Sequence, residues 1–231
     1  MRIILFFDWS GPKERTHCSI VGFAKWAWLF VKRISDLSNE VIHLEDRFEG
    51  LDGVAVTNCF ISVDGTDCPV LEPYPYDRTM YSKKFNGPGV KYEVAVCIKT
   101  GKIVWINGPF IASKHDNNIF REGLRNHLFD DEAVECDRGY GEDDILKAPQ
   151  VGSDSNERKM KSNPRAQHEA VNGRLKQFKV LDSHFRHMKP DKAGMMEKHG
   201  ACFFAVAVIT QLKIMGGEKI FNELEYDVNY F

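Results

Sequence analysis

Three separated acids stand out, each in a setting that fits chemistry on a phosphodiester. Asp64 closes the apolar, β-branched run Phe60-Ile61-Ser62-Val63 and is followed by Gly65-Thr66-Asp67. Asp137 closes a second such run, Ala133-Val134-Glu135-Cys136. Glu169 lies inside a basic, helix-patterned segment from Arg165 to Phe178. Two carboxylates at strand ends and a third on a later helix can converge on a pair of Mg²⁺ ions. Such a pair clamps the attacking and leaving oxygens of an in-line displacement. Oxygen-only ligands suit Mg²⁺ or Mn²⁺. The pattern points to nuclease or transposase chemistry rather than to a binding module. Each acid also has a plainer reading. Asp-Gly is a common turn pair, and Asp137 before Arg138-Gly139 could equally start a turn. What favours a shared site is that all three occur together.

The elements needed to position these acids can be read from periodicity. Residues 58–63 predict a strand, and 64–86 a long polar loop with Pro69, Pro73 and Pro75. Residues 92–98 and 102–106 predict a hairpin around Thr100-Gly101. Ser113 to Asp116 is expected to cap a helix over 117–128, with Ile119, Phe120, Leu124 and Leu128 at helical spacing. A strand over 133–137 follows, then a polar loop over 141–165. In the next helix Val171, Leu175 and Phe178 make an apolar stripe opposite Arg165, Glu169, Asn172 and Lys176. A last apolar helix is expected over about 199–215. Strands mixed with helices in this order predict an α/β fold with a mixed sheet. If Val63 and Cys136 lie on adjacent strands, Asp64 and Asp137 are neighbours at one sheet edge.

Composition narrows the class. The 231 residues are 43% hydrophobic, enough for one substantial core. The expected division is a helical N-terminal region over 1–57 and a main domain over 58–231. The net charge of −2 excludes a bulk-basic DNA binder, so any nucleic-acid site must be a local patch. Charge is segregated: acids cluster from Asp130 to Asp144, and a basic stretch runs from Arg158 to Lys192 around Glu169. A metal site beside a phosphate-binding wall is the functional reading, and two solvated surfaces the plain one. The six cysteines form no CxxC pair and read as small buried hydrophobes in a reducing compartment. The apolar start, Met1 to Phe7, is cut off by Asp8 and is not read as a signal peptide. The other apolar runs are too short or interrupted for a membrane span. His184, His187, His199 and Cys202 have a spacing that could hold Zn²⁺, but no other feature suggests a zinc finger.

Five segments in order resemble PIF/Harbinger-type transposases of the DDE superfamily. They are Val63-Asp64-Gly65-Thr66, Tyr81-Ser82-Lys83-Lys84, His115-Asp116 with Ile119-Phe120, Cys136-Asp137-Arg138-Gly139-Tyr140, and His168-Glu169-Ala170-Val171-Asn172-Gly173-Arg174-Leu175-Lys176. The resemblance covers roughly 58–215. It implies a ribonuclease H-like fold with a five-stranded mixed sheet. It also implies a catalytic Asp-Asp-Glu triad, carried here by Asp64, Asp137 and Glu169, holding two Mg²⁺ or Mn²⁺ ions. DNA is the implied substrate, both transposon ends and target, and no membrane is involved. Arg138, Arg165, Arg174, Lys176, Lys83 and Lys84 are the expected DNA contacts. The resemblance further implies at least a homodimer, a Myb-like accessory protein and a nuclear location. Members of that family carry a helix-turn-helix ahead of the first strand. Residues 1–57 do not match it and are read as a truncated DNA-binding part or as packing. A host-adopted remnant that binds DNA without cutting it is the competing reading. Asp116 is expected to cap its helix, and Asp67 is expected to be loop polarity.

Overall fold

The computed structural model describes residues 26–49, 58–141, 144–147, 167–185 and 192–218. At its centre is β1 (Cys59–Pro69), a strand of 11 residues. Along one edge β1 pairs antiparallel with β3 (Gly87–Cys97), placing Ile61 opposite Cys97, Asp64 opposite Val94 and Pro69 opposite Gly89. The outer partner of β3 is β4 (Ile103–Ile111), also antiparallel. Along its other edge β1 pairs parallel with β5 (Ala133–Cys136), which pairs parallel with β6 (Leu146–Lys147). A two-residue strand, β2 (Tyr81–Ser82), adds to the start of β3 and makes the sheet six-stranded. The order β4-β3-β1-β5-β6, antiparallel on one side and parallel on the other, is that of a ribonuclease H-like α/β fold.

The sheet has a core on each face because strand side chains alternate. Ile61, Val63, Ala95, Cys97, Val134 and Cys136 face one way. They pack beneath Phe120 of α3 (Asp116–Glu122) and beneath Leu124 of the 3₁₀ turn that follows it. Cys68, Val70, Val90, Tyr92, Val94 and Val96 face the other way. Three helices cover them: α1 (Ala27–Asp36), the helical residues 167–176 (α4) and α6 (Lys192–Met215). Two short helices, α2 (Ser38–Val41) and α5 (Lys179–Asp182), complete the described set. Ahead of β1, Arg47 is buried and grips Glu132, with Nε donating to Oε1 at 2.7 Å and a terminal nitrogen to Oε2 at 3.2 Å. That fork ties the N-terminal segment to the turn before β5.

Four sequence expectations need correction. The strand expected over 58–63 continues to Pro69, because β3 keeps pairing with β1 after β5 has ended. Asp64-Gly65 is therefore extended strand, not a turn. For the same reason β3 begins at Gly87 rather than near Tyr92. The helix expected over 117–128 stops at Glu122, and a 3₁₀ turn (Leu124–His127) replaces its second half. Gly123, whose N–H bonds the carbonyls of Ile119 and Phe120, marks the break. The last helix starts seven residues earlier than expected, at Lys192.

Candidate active site

The alternation that builds the cores also builds the site. Ser62 and Asp64 leave β1 on the face covered by α4. Ser62 stands opposite Glu135 in the parallel pair, and Val63 opposite Cys136. Glu135 and Asp137, two apart at the end of β5, therefore share the face of Ser62 and Asp64. Helix α4 lies across this edge and adds His168 and Glu169. These side chains line one open cleft of about 70 Å³. The three acids expected to act together thus come from three elements and border the same cavity. Asp64 is half-buried, whereas Asp137 and Glu169 are exposed.

Asp64 is the most buried of the three. The Asn172 amide, one helical turn after Glu169, donates from Nδ2 to Asp64 Oδ2 at 3.1 Å. The backbone N–H of Gly65 favours its charged form. Burial pushes the Asp64 carboxyl up from its ordinary range. The Lys84 ammonium opposes that shift, and the neighbouring charges of Asp116 and Asp137 add to it. Lys84 is held there because its Nζ donates to the Gly65 carbonyl. That carbonyl belongs to the stretch of β1 beyond the end of β5.

His168 is only 3% exposed. Its Nδ1 lies 3.4 Å from Ser62 Oγ, and its Nε2 is buried without a hydrogen-bond partner. Burial lowers its pKa to about 4, so the imidazole is neutral at physiological pH.

A second acidic layer lies behind the sheet, under Gly65. Glu93, the register partner of Gly65, is 1% exposed and accepts from Trp105 Nε1 at 2.9 Å. Burial raises its carboxyl to about 7, against that hydrogen bond and with help from Asp116. Asp116 pairs with Lys91 at 2.9 Å. It does not cap its helix: His115 holds the cap position, and no side-chain cap forms. Gly65 is what admits Asp116, since a Cβ at that position would collide with the Asp116 carboxylate. Asp67 also departs from expectation. It is buried in β1 and accepts from Ser82 Oγ, so it anchors the 82–84 turn rather than lending polarity to a loop.

Among the described residues, the expected DNA contacts come from separate elements. Lys83 is exposed, and Lys84 lies beside Asp64 as described. Arg174 forms an ion pair with Glu218, and Lys176 is half-buried. Arg138 opens a 3₁₀ turn directly after Asp137, and Arg165 lies outside the described residues. Of the possible zinc set, His199 is fully buried with Nδ1 2.7 Å from the Tyr92 hydroxyl, and Cys202 is buried in the same core. His184 is exposed, and His187 lies outside the described residues.

The sequence reading did not assign Ser62, Glu135, His168 or Asn172 to the site. Their signal was positional. Two lie two residues before a strand-end acid, one precedes the helical acid, and one follows it by a turn. The donor set is rich in carboxylate oxygen, which fits a hard divalent cation. A cation would also relieve the charge that burial makes costly at Asp64. Among the described residues no three such side chains are drawn to ligand spacing.

The family model that matches this chain spans residues 63–211, from the residue before Asp64 to the last turns of α6. The chain belongs to the DDE superfamily endonucleases. No curated protein and no solved structure matches it. The DDE family match covers more than half of the chain and takes in nearly every residue that lines the cleft, Ser62 alone preceding it. Divalent metal use and a DNA substrate are general properties of this endonuclease family.

Proposed function

We propose that this chain is a metal-dependent DNA endonuclease of the transposase type, within the PIF/Harbinger group, and that Asp64, Asp137 and Glu169 are its catalytic acids. The observation that carries the reading is that these acids, in the family's order and from three different elements, border one cleft in a DDE endonuclease domain. Asp64, Asp137 and Glu169 would together hold two Mg²⁺ or Mn²⁺ ions. Bound there, such ions supply Lewis acidity to the attacking and leaving oxygens of an in-line phosphodiester displacement.

The remaining work falls to the chain. Half-buried Asp64 sits on the central strand of the sheet, while exposed Asp137 and Glu169 would face an incoming DNA strand. His168 closes the inner wall as a neutral imidazole and adds no positive charge to the cleft. The Lys84 ammonium, beside the Gly65 carbonyl, would meet a DNA phosphate. Action on paired transposon ends calls for at least a homodimer. A Myb-like accessory protein and a nuclear location belong to the same reading.

Nicking of supercoiled plasmid in Mn²⁺ and Mg²⁺ tests it, with Asp64→Asn, Asp137→Asn and Glu169→Gln beside the wild type. Cleavage that all three variants lose supports the triad. Cleavage retained in any one of them removes that acid from the catalytic set. A folded wild type that binds DNA but does not nick it favours a transposase-derived binding protein instead.

A further inference from the structure

We infer that Asn172 is the positioning residue of this site: its amide holds one oxygen of Asp64 so that the other is left for a divalent cation. The inference rests on reading Asp64 as a metal ligand. Three observations lead to it.

The first is the contact itself. Asn172 Nδ2 lies 3.1 Å from Asp64 Oδ2, across 108 residues of sequence. The amide can adopt only one orientation here. A carboxylate only accepts, so the NH₂ must face it, whereas the flipped amide would set two oxygens against each other.

The second is the setting of the amide. Asn172 Oδ1 is buried and has no hydrogen-bond partner. A buried amide oxygen left unsatisfied is costly, and an amide chosen only for packing would be replaced by an apolar side chain without loss. What Asn172 gains at this position is its contact with Asp64.

The third is the arrangement along α4. His168 reaches Ser62 and Asn172 reaches Asp64, and both targets lie on the same face of β1. The two contacts bracket Glu169 on the helix. The helix is thus keyed to β1 on either side of its own acid, and one element carries both a proposed ligand and the group that orients another. A neutral donor suits this role better than a lysine or arginine. It limits the rotation of the carboxylate without neutralising the charge that attracts the cation. Outer partners that orient ligating carboxylates act this way in metal sites generally.

The test is Mn²⁺ binding to the full chain, measured by isothermal titration for wild type, Asp64→Ala, Asn172→Ala, Asn172→Leu and the Asp64→Ala/Asn172→Ala double variant. Asn172→Leu keeps the branched shape of the side chain and removes the donor, so it stands in if the alanine variant folds poorly. Melting temperatures report folding in each case. The expected result is that removing the amide weakens Mn²⁺ binding about tenfold, the lower end for loss of an outer-shell partner. In the Asp64→Ala background the same change should have no further effect, because Asn172 acts through Asp64.

If wild type binds Mn²⁺ and Asp64→Ala loses it while Asn172→Leu binds as wild type does, the inference about Asn172 is overturned and the metal site stands. An equal loss from Asn172→Ala with and without Asp64 would overturn it as well, since the amide would then act independently of that acid. If Asp64→Ala binds Mn²⁺ as well as wild type, the reading of Asp64 as a ligand fails, and the role of Asn172 fails with it.

Discussion

Val63 and Cys136 are register partners in the parallel β1–β5 pair, and that single pairing places Asp64 beside Asp137. Each acid is the next residue along the chain, and both line the same cleft. With α4 laid across that edge, Glu169 completes the border of the cleft. The relationship depends on register alone. A slip of one residue would turn one of the two acids to the opposite face.

Asp137→Asn follows directly. Asp137 is exposed and lies beyond the last paired residue of β5, so the change should leave the fold intact. Plasmid nicking in Mn²⁺ should fall by a factor of roughly 10² or more, the scale for removing one charge-stabilising group from a reacting centre. Circular dichroism and the melting temperature should match wild type. Nicking at the wild-type rate would remove Asp137 from the site.

Glu93 should make stability depend on pH. Its carboxyl is raised from 4.5 to about 7 in the folded chain, chiefly by burial. Between those values the folded state keeps a proton that the unfolded state has released. The stability that Glu93 contributes should therefore be greatest below about pH 4.5, fall as pH rises to about 7 and level off above. Glu93→Gln removes this slope and still accepts from the Trp105 indole. Denaturant titrations at pH 5 and pH 8 should show the variant gaining up to about 3 kcal/mol at the higher pH only, because each pH unit between the two values is worth about 1.36 kcal/mol. An equal change at both values would show that Glu93 ionises normally.

Gly65→Ala should destabilise the chain by roughly 1–3 kcal/mol, the usual cost of overpacking a filled site. The added methyl would meet the Asp116 carboxylate, which its ion pair with Lys91 holds in place. In an Asp116→Ala background the obstacle is gone, so the same change should cost less there. Equal costs in the two backgrounds, read from urea denaturation, would locate the strain elsewhere.

Arg47→Ala should be the most damaging of these changes. It leaves the Glu132 carboxylate buried without its forked partner, and breaking a buried pair from one side costs about 3–5 kcal/mol. Arg47→Ala combined with Glu132→Gln should recover part of the loss. A shift under about 1 kcal/mol for the single variant, as expected of exposed ion pairs, would contradict the buried geometry.

Much of this molecule is legible along the chain. The alternating runs that end at Asp64 and Asp137 and the helical stripe of Val171, Leu175 and Phe178 are local patterns. They determined which acids face together, because side-chain direction follows from the period of the element. The mixed α/β class followed from the order of those elements. What local pattern does not contain is where a strand finds its partner. Asp64-Gly65 reads as a turn in isolation, and it is strand only because β3 pairs with β1 as far as Pro69. Asp116 reads as a helix cap, and becomes instead the partner of Lys91 in a space that Gly65 leaves open. Glu93 lies in an apolar-looking strand and is raised to about 7 only because the fold buries it. Asn172 reads as one more polar residue on an exposed helix face until α4 is laid against β1. Each of these depends on contacts between segments far apart in sequence, and such contacts exist only once the backbone hydrogen bonds of the sheet have been paired.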